Sequence, residues 1–170
     1  MSELADQQVR FSPQPVRRSQ IERAETFLVE LDSAQSHFSY GDVCHAITGY
    51  QPDGNAADLI PMADLQHDLR RLIEDLSESL QLSESDFDQR LYSVQEISQK
   101  LNVSAKTIDR WRDRGLASRK IRVNGRTRVM VPEKALNRFV ELHKEQVERG
   151  STFNRMSKEE REQMISDARS

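Results

Sequence analysis

Two short helices with separate start signals constrain the fold of this chain more than any other feature. Ser93 stands three residues before Glu96, the spacing of a capping box, in which both side chains bond free N–H groups at a helix start. Ser104 suits the N-cap of a second helix, because its hydroxyl can accept a hydrogen bond from the first turn. Asn102 ends the first helix, and Val103 fills the turn. The sequence therefore predicts a helix, a tight turn and a second helix.

The second helix divides into an apolar side and a charged side. At about 100° per residue, Ile108 and Trp111 point in the same direction, so both are predicted to be core residues. The opposite side carries Lys106, Asp109, Arg110 and Asp113. The flanking positions hold Thr107, Arg112 and Arg114. Gly115 is placed to end the helix, since the residue after a helix often has a positive φ.

A basic β-hairpin is predicted after the two helices. Asn124 and Gly125 form the strongest two-residue hairpin turn, because both positions tolerate positive φ. Side chains alternate in character on both sides of this turn, through Lys120, Ile121, Arg122, Val123, Arg126, Thr127, Arg128, Val129, Met130 and Val131. Pro132 suits the first position of a third helix. The apolar face of that helix is Ala135, Leu136, Phe139 and Val140. This order of elements is the layout of a winged helix-turn-helix, which we predict over residues 92–149.

The charge of the chain is divided between two regions. The net charge is −3, but residues 1–91 hold 17 acidic against 7 basic side chains, and residues 92–150 hold 14 basic against 7 acidic. This asymmetry suggests two modules with different partners. Between Ser104 and Arg128, nine basic residues face only two acidic ones. Residues 104–128 are therefore expected to bind a negatively charged partner.

The acidic region is predicted to be helical. Residues 1–15 are expected to be a flexible lead-in, and a helix with an apolar stripe runs from about Val16 to about Ser36. A short helix follows Ser39, and a long one follows Pro61. The stripe of the long helix is interpreted as core and not as a dimer seam; it consists of Leu65, Leu69, Leu72, Ile73, Leu76 and Leu80.

The predicted fold class is mainly α. An acidic helical N-terminal module at residues 16–85 precedes the winged helix-turn-helix with its small β-hairpin at 92–149. Gly150 is placed to end the third helix. Residues 150–170 are expected to be a linker and a short C-terminal helix, which Ser157 opens with a second capping-box spacing.

Four pairs of residues carry a family resemblance: Thr107-Ile108, Arg110-Trp111, Gly115-Leu116 and, in the wing, Gly125-Arg126. With them, residues 92–140 resemble the DNA-binding domains of the excisionase and MerR-like group. The resemblance covers under a third of the chain. It implies that the second helix lies in the major groove of DNA and that the wing touches the backbone or the minor groove.

Ten residues are predicted to contact DNA: Ser104, Lys106, Thr107, Arg110, Arg112, Arg119, Lys120, Arg122, Arg126 and Arg128. Lys106 and Arg110 are the candidates for base contacts, where a bidentate contact to guanine contributes roughly 1–3 kcal/mol of discrimination. Arg122, Arg126 and Arg128 of the wing would bind phosphates. These contacts supply affinity and salt dependence without sequence choice. The hydroxyls of Ser104 and Thr107, at the start of the second helix, could add contacts to phosphate.

The whole chain is also similar to the leading part of some unusual bacterial sigma-70-family factors. The acidic module, the helix-turn-helix and the segment RGSTFNRMSKEEREQMISDA carry this resemblance. It implies that the chain continues into further helix-turn-helix modules and that RNA polymerase is a partner. The sequence has no aromatic-rich helix of the kind that melts promoter DNA, so such a piece would recognise duplex DNA or polymerase without opening the promoter.

The sequence favours no enzymatic function. Neighbouring side chains on a helix point about 100° apart, so Cys44 and His45 are expected to be a core thiol and a partly exposed imidazole. No phosphate-binding glycine loop and no metal-ligand spacing is present, so neither cofactor nor metal is expected. The carboxylates of residues 58–88 are interpreted as a solvated face. One cysteine excludes an intrachain disulfide, and without a leader or spanning stretch we expect a cytoplasmic protein with no membrane association.

These observations favour a transcription protein that binds specific sequences in double-stranded DNA. The alternative is a protein-interaction adaptor that uses the helix-turn-helix to bind polymerase or another regulator. A role in DNA excision would differ from transcription only by its target site. Two roles stay open for the acidic module: it binds a protein partner, either RNA polymerase or a second copy of this chain, or it folds over the basic face and restrains DNA binding.

Overall fold

Helices make up most of the chain in the computed structural model, which describes residues 1–31 and 34–169. The N-terminal part consists of α1 (Ser2–Phe11), α2 (Gln14–Glu30), β1 (His37–Ser39), α3 (Tyr40–Thr48), β2 (Leu59–Pro61) and α4 (Met62–Ser79). A 3-10 turn at Glu84–Asp86 follows. The C-terminal part consists of β3 (Leu91–Ser93), α5 (Val94–Leu101), α6 (Ala105–Arg112), β4 (Arg119–Val123), β5 (Arg126–Pro132), α7 (Glu133–Leu142) and α8 (Lys144–Arg169). The fold is mainly α with a small antiparallel sheet, as predicted.

Helix α4 is the centre of the N-terminal module, by which we mean α1 to the 3-10 turn. The predicted stripe of α4 is buried: Leu65, Leu69, Leu72, Ile73, Leu76 and Leu80. Helices α1 and α2 pack against it through Leu4, Ile21 and Leu28. Full burial of one such aliphatic side chain contributes about 1.5–3 kcal/mol. The interpretation of the stripe as core is confirmed.

The expectation of a flexible lead-in at residues 1–15 is wrong. Residues 2–11 form α1, and its Leu4 and Ala5 side chains are buried against α4. The apolar pattern of α1 is too brief to identify a helix by itself, because only these two side chains are buried. Helix α1 is stabilised by the surface that α4 provides.

Helix α2 is shorter than predicted. It begins at Gln14 and ends at Glu30, and Ser36 lies in an irregular segment. Asp32 and Ser33, through which the predicted helix would have run, lie outside the described residues.

The short helix α3 is confirmed with its cap. The Ser39 hydroxyl accepts a hydrogen bond from the N–H of Asp42 at 3.4 Å, and Gly49 ends the helix with a φ of 75°. The sequence did not predict the strands on either side. Strands β1 and β2 are antiparallel, with Phe38 opposite Ile60.

The helix-turn-helix forms where the capping signals predict it. The N–H of Glu96 donates to the Ser93 hydroxyl at 3.1 Å, and the N–H of Ser93 donates to the Glu96 carboxylate at 2.8 Å. The Ser104 hydroxyl accepts from the N–H of Thr107 at 3.1 Å at the start of α6. Asn102 ends α5 in the left-handed conformation, with a φ of 51°. Local signals alone therefore place both helices.

The wing is part of a three-stranded sheet with the order β3-β5-β4. Asn124 and Gly125 have φ values of 51° and 75°, which confirms the predicted hairpin turn. Strand β3 was not predicted and pairs with β5, with Leu91 opposite Pro132. Pro132 is consequently the last residue of β5, and α7 begins one residue later than predicted.

The predicted helix stop at Gly150 and the predicted linker after it are wrong. Helix α8 is continuous from Lys144 to Arg169, and the break that precedes it is at His143. A Cβ atom on Gly150 would lie 3.3 Å from Val103 Cγ1 and 3.6 Å from an atom of Trp111. Glycine is therefore used here because α8 approaches α6 and the preceding turn closely.

The N-terminal module covers the outer edge of the wing. Strand β4 is an edge strand of its sheet, and its outward N–H groups find partners in the module. The N–H of Lys120 donates to the Ser77 hydroxyl at 3.0 Å, and the N–H of Arg122 donates to the Leu82 carbonyl at 2.8 Å. Phe87 packs against the cores on both sides. The two parts of the chain therefore share a structured interface.

Candidate nucleic-acid interface

Helix α6 has one face in the core and another in solvent. Ile108 and Trp111 are fully buried, and the Trp111 ring lies 5.5 Å from the Phe139 ring of α7. Lys106 and Arg110 are exposed on the opposite side. The sequence therefore predicted correctly which face of this helix is open, and Trp111 is a core residue.

The hydroxyl groups at the start of α6 bond to each other. The Ser104 and Thr107 side-chain oxygens are 2.9 Å apart, in addition to the cap that Ser104 makes. Ser104 is exposed, whereas Thr107 is half-buried beside Gly150 of α8. Both hydroxyls lie at the same end of α6 as Lys106.

Arg112 lies inside the contact with the N-terminal module, which corrects its predicted place at the DNA surface. Its side chain is 5% exposed. The guanidinium forms an ion pair with Glu74 and donates to Asp109 at 2.8 Å and to Ser118 at 3.1 Å. Burial by itself would raise the pKa of Glu74, but the hydrogen bond and the charge of Arg112 lower it below its usual value. The Arg112 guanidinium therefore stabilises the fold and is not available to DNA.

The end of α6 is held by a second ionic contact. Asp113 forms an ion pair with Arg70 of α4 and lies 3.2 Å from Nδ1 of His67. Burial would raise the pKa of Asp113, but the bonds from His67 and Arg70 lower it. Helix α4 thus fixes the C-terminal end of α6 at two successive residues, Arg112 and Asp113.

Two more of the predicted DNA-binding residues are paired with acids of the N-terminal module. Arg119 forms a two-pronged contact with Glu25, at 2.7 and 2.8 Å. Lys120 lies 2.9 Å from a Glu78 oxygen, and this hydrogen bond raises the pKa of the Lys120 ammonium. Their charges are balanced within the protein, so the structure does not bring them to the open basic surface.

The remaining basic residues of the wing are exposed. The Arg122 guanidinium donates to the Gln81 side-chain oxygen at 3.5 Å and to the Gly125 carbonyl at 3.4 Å, and it forms no ion pair with the described residues. Arg126 and Arg128 project from β5 and form no ion pair with any residue that the structure describes. Seven of the ten predicted residues, on α6 and on the wing, are therefore not held by acids of the N-terminal module that the structure describes.

Little in the sequence indicates which acids hold Arg112, Arg119 and Lys120. The carboxylates of residues 58–88 were expected to form a solvated face, and for Glu74 this is wrong, because it is 7% exposed. One signal is the spacing of polar residues beside the leucine stripe: Glu74 follows Arg70 by four residues, and Ser77 and Glu78 follow Glu74 by three and four. Such a polar ridge is compatible with solvent or with a charged partner, and only the fold distinguishes them.

Two capped helices joined by a tight turn, a basic hairpin and a supporting helix define a winged helix-turn-helix. The residues that build it, 91–142, match the model of a family described as a helix-turn-helix domain. This match identifies a helix-turn-helix segment of the DNA-binding type and supports the excisionase-like part of the resemblance. No curated protein and no solved structure gives a match.

The Cys44 thiol is 2% exposed, and burial raises its pKa. Burial and a hydrogen bond with that thiol raise the pKa of Tyr40 to about 12. Over residues 1–31 and 34–169, no group of acidic, histidine or cysteine side chains could hold a metal ion. In the same residues, none of the helices combines the length and apolar character needed to cross a bilayer.

Proposed function

We propose that this protein binds specific sequences in double-stranded DNA and acts in transcription. The observation that carries the proposal is the division of its basic residues. Arg112, Arg119 and Lys120 are neutralised by Glu74, Glu25 and Glu78 of the N-terminal module. The outward face of α6 and the wing remain exposed and hold Lys106, Arg110, Arg122, Arg126 and Arg128. An uncompensated basic surface on a helix-turn-helix suits a polyanionic partner.

In this proposal α6 enters the major groove. Lys106 and Arg110 would face base edges, because they lie opposite the buried Ile108 and Trp111. A two-pronged contact of Arg110 to guanine would contribute roughly 1–3 kcal/mol of discrimination against other bases. Asp109 is held by Arg112 at 2.8 Å, so its carboxylate is turned toward the module side of the helix.

The wing would then lie along the phosphate backbone. Arg126 and Arg128 point to the same face of β5, because residues two apart in a strand share a side. Contacts of these arginines with phosphates would supply affinity in every sequence, and would make binding sensitive to salt.

In this proposal the N-terminal module supports the winged helix-turn-helix. It contacts β4 and the end of α6, and it leaves the start of α6 and the wing tip uncovered. Of the two roles considered for the acidic module, a cover over the basic face fits this arrangement poorly. A protein partner, either RNA polymerase or a second copy of this chain, would bind elsewhere on the module.

A salt titration tests the proposal. Binding of a mixed-sequence DNA duplex should weaken steeply between about 50 and 200 mM salt. The double variant Arg126→Ala, Arg128→Ala should lower the logarithmic salt slope by about 1.8, since each phosphate contact contributes about 0.9. Arg10→Ala removes an exposed arginine from α1 and should leave the slope unchanged. If the unmodified protein does not bind duplex at about 50 mM salt, the proposal is wrong.

That negative result would favour the alternative function, a protein-interaction adaptor. The sigma-factor hypothesis receives no support from the family match, which ends at residue 142, before the C-terminal segment 149–168 that suggested it begins. In that segment the protein has a continuous helix and not the predicted linker. Excision and transcription differ by the target site, so selection of bound sequences from genomic DNA would distinguish these two roles.

A further inference from the structure

Helix α8 runs along the flank of the helix-turn-helix toward the start of α6. Gly150 packs against Trp111 in the last turn of α6 and against Thr107 in its first turn. One turn later, the Asn154 side-chain amide donates to Oδ1 of Asn102 at 3.0 Å, in the turn before α6. The path of α8 therefore leads from the body of α6 to the end at which the exposed Lys106 lies.

The next turn of α8 brings a positive charge to the same place. The Lys158 ammonium donates to Oδ1 of Asn102 at 3.3 Å. Asn102 is two residues from Ser104, the N-cap of α6. A bond to a neutral amide oxygen orients the ammonium but does not neutralise it. The charge of Lys158 is thus placed next to the surface that would read DNA.

Arg155 adds a second cation on the same side of α8. It is three residues before Lys158, so the two side chains are neighbours on the helix surface. Both are exposed, and neither forms an ion pair within the part of the chain that the structure describes. The first half of α8, residues 144–158, holds four basic and two acidic residues. The second half, 159–169, holds two basic and four acidic ones, so the net charge is positive only in the half beside α6.

We propose that α8 is a third DNA-contacting element, in which Arg155 and Lys158 bind phosphates of the backbone beside the groove that α6 enters. The inference rests on the proposed DNA-binding function. It explains why a long helix returns past the end of α6 and carries its cations there. Contact with the duplex ends near Lys158, because Glu159, Glu160 and Glu162 follow and would repel phosphate. The footprint on DNA is then wider on the α8 side than a helix and a wing alone would give.

The test uses the full chain and a mixed-sequence duplex, titrated from about 50 to about 200 mM salt. Lys158→Gln should lower the salt slope by about 0.9 and the affinity at about 100 mM salt roughly eightfold. The double variant Arg155→Gln, Lys158→Gln should lower the slope by about 1.8. Lys158→Arg keeps the charge and should bind as the unmodified protein does. Lys144→Gln removes a charge from the far end of α8 and should change nothing.

The other outcomes each have a definite meaning. Unchanged slopes for both glutamine variants, together with a lower slope for Arg126→Ala, Arg128→Ala, would overturn this inference and leave the proposed function intact. Equal losses for Lys158→Gln and Lys158→Arg, with reduced helix content by circular dichroism, would show a structural role and overturn it. Tighter binding by the glutamine variants would mean that α8 obstructs DNA, which also overturns it. If the unmodified protein binds no duplex, both proposals fall.

Discussion

Arg110 and Arg112 lie two residues apart in α6 and have opposite environments. Arg110 is exposed and forms no ion pair with the residues that the structure describes, whereas Arg112 is 5% exposed and is bound by Glu74 and Asp109. Two residues rotate a helix by about 200°, so the two guanidinium groups point in nearly opposite directions. A basic stretch of sequence can therefore supply one arginine for a ligand and one for the fold.

The same contrast holds for the larger basic surface. The strands of the wing begin with Arg119 and Lys120, which are paired with the N-terminal module. They continue to Arg126 and Arg128, which form no ion pair with the residues that the structure describes. Charge density along the sequence is thus a poor guide to the charge that a partner meets. The acids of a distant part of the chain decide which cations remain available.

The largest expected effect is the loss of the partner of Arg112. Glu74→Ala would leave a buried guanidinium without its carboxylate, which typically costs about 3–5 kcal/mol. Urea unfolding should show this decrease in the free energy of unfolding. Glu78→Ala is the matched control, because its pair with Lys120 is partly exposed and should contribute below about 1 kcal/mol. Equal losses in the two variants would contradict the contrast between buried and exposed pairs.

Acid should weaken the same contact. The pKa values of Glu74 and Asp113 are lowered from ordinary values of 4.5 and 3.8. A carboxyl group with a lowered pKa in the folded state contributes stability that is complete above its ordinary value. That stability is lost as the pH falls through the folded-state pKa. Urea unfolding should therefore show a decrease in stability below about pH 4.5.

The Glu74→Gln variant checks the origin of this acid dependence. Because its side chain cannot titrate, the variant should lose less stability than the unmodified protein over the same decrease in pH. An equally steep decrease in both proteins would assign the acid sensitivity to other carboxyl groups, among them Glu96, whose pKa is lowered by the Ser93 N–H.

Arg110→Ala should separate DNA binding from stability. We expect the variant to lose roughly 1–3 kcal/mol of discrimination between its preferred sequence and others. Its free energy of unfolding should change by less than about 0.5 kcal/mol, because the side chain is exposed. Competition binding with selected and mixed-sequence duplexes measures the first quantity, and urea unfolding measures the second. Arg112→Ala should instead lower the free energy of unfolding strongly and change the discrimination between sequences little.

The smallest expected effect is that of Lys120→Ala on DNA binding. Lys120 is paired with Glu78, so removing it should leave the salt slope unchanged within error, although it carries a full charge. Stability should fall by less than about 1 kcal/mol. A decrease of the slope by about 0.9 would show that Lys120 meets a phosphate after all, and that its pair opens in the complex.

The elements that the sequence predicts well are those whose causes are local. The caps at Ser93 and Ser104 and the Asn124-Gly125 turn act within four residues, so they place α5, α6 and the wing correctly. The leucine stripe of α4 is equally clear, because its period repeats from Leu65 to Leu80, over about four turns. For these elements, the folded protein adds little to what the residues already indicate.

The elements that escaped prediction depend on contacts between distant residues. Arg112 is held by a carboxylate 38 residues away, and Arg119 by one 94 residues away. Helix α8 passes through Gly150, which would ordinarily end a helix, because contact with Val103 and Trp111 compensates for the weak helix preference of glycine. No pattern within either segment carries that information.

The covered edge of β4 also has a consequence for fragments of this chain. Ser77 and Leu82 occupy the outward N–H groups of the strand, so a polypeptide that starts near residue 90 would leave them open. An open strand edge is a template for other chains, and the apolar positions Ile121 and Val123 would favour such pairing. The isolated winged helix-turn-helix should therefore be prone to aggregation. In the intact chain, the N-terminal module would act as an intramolecular chaperone for it.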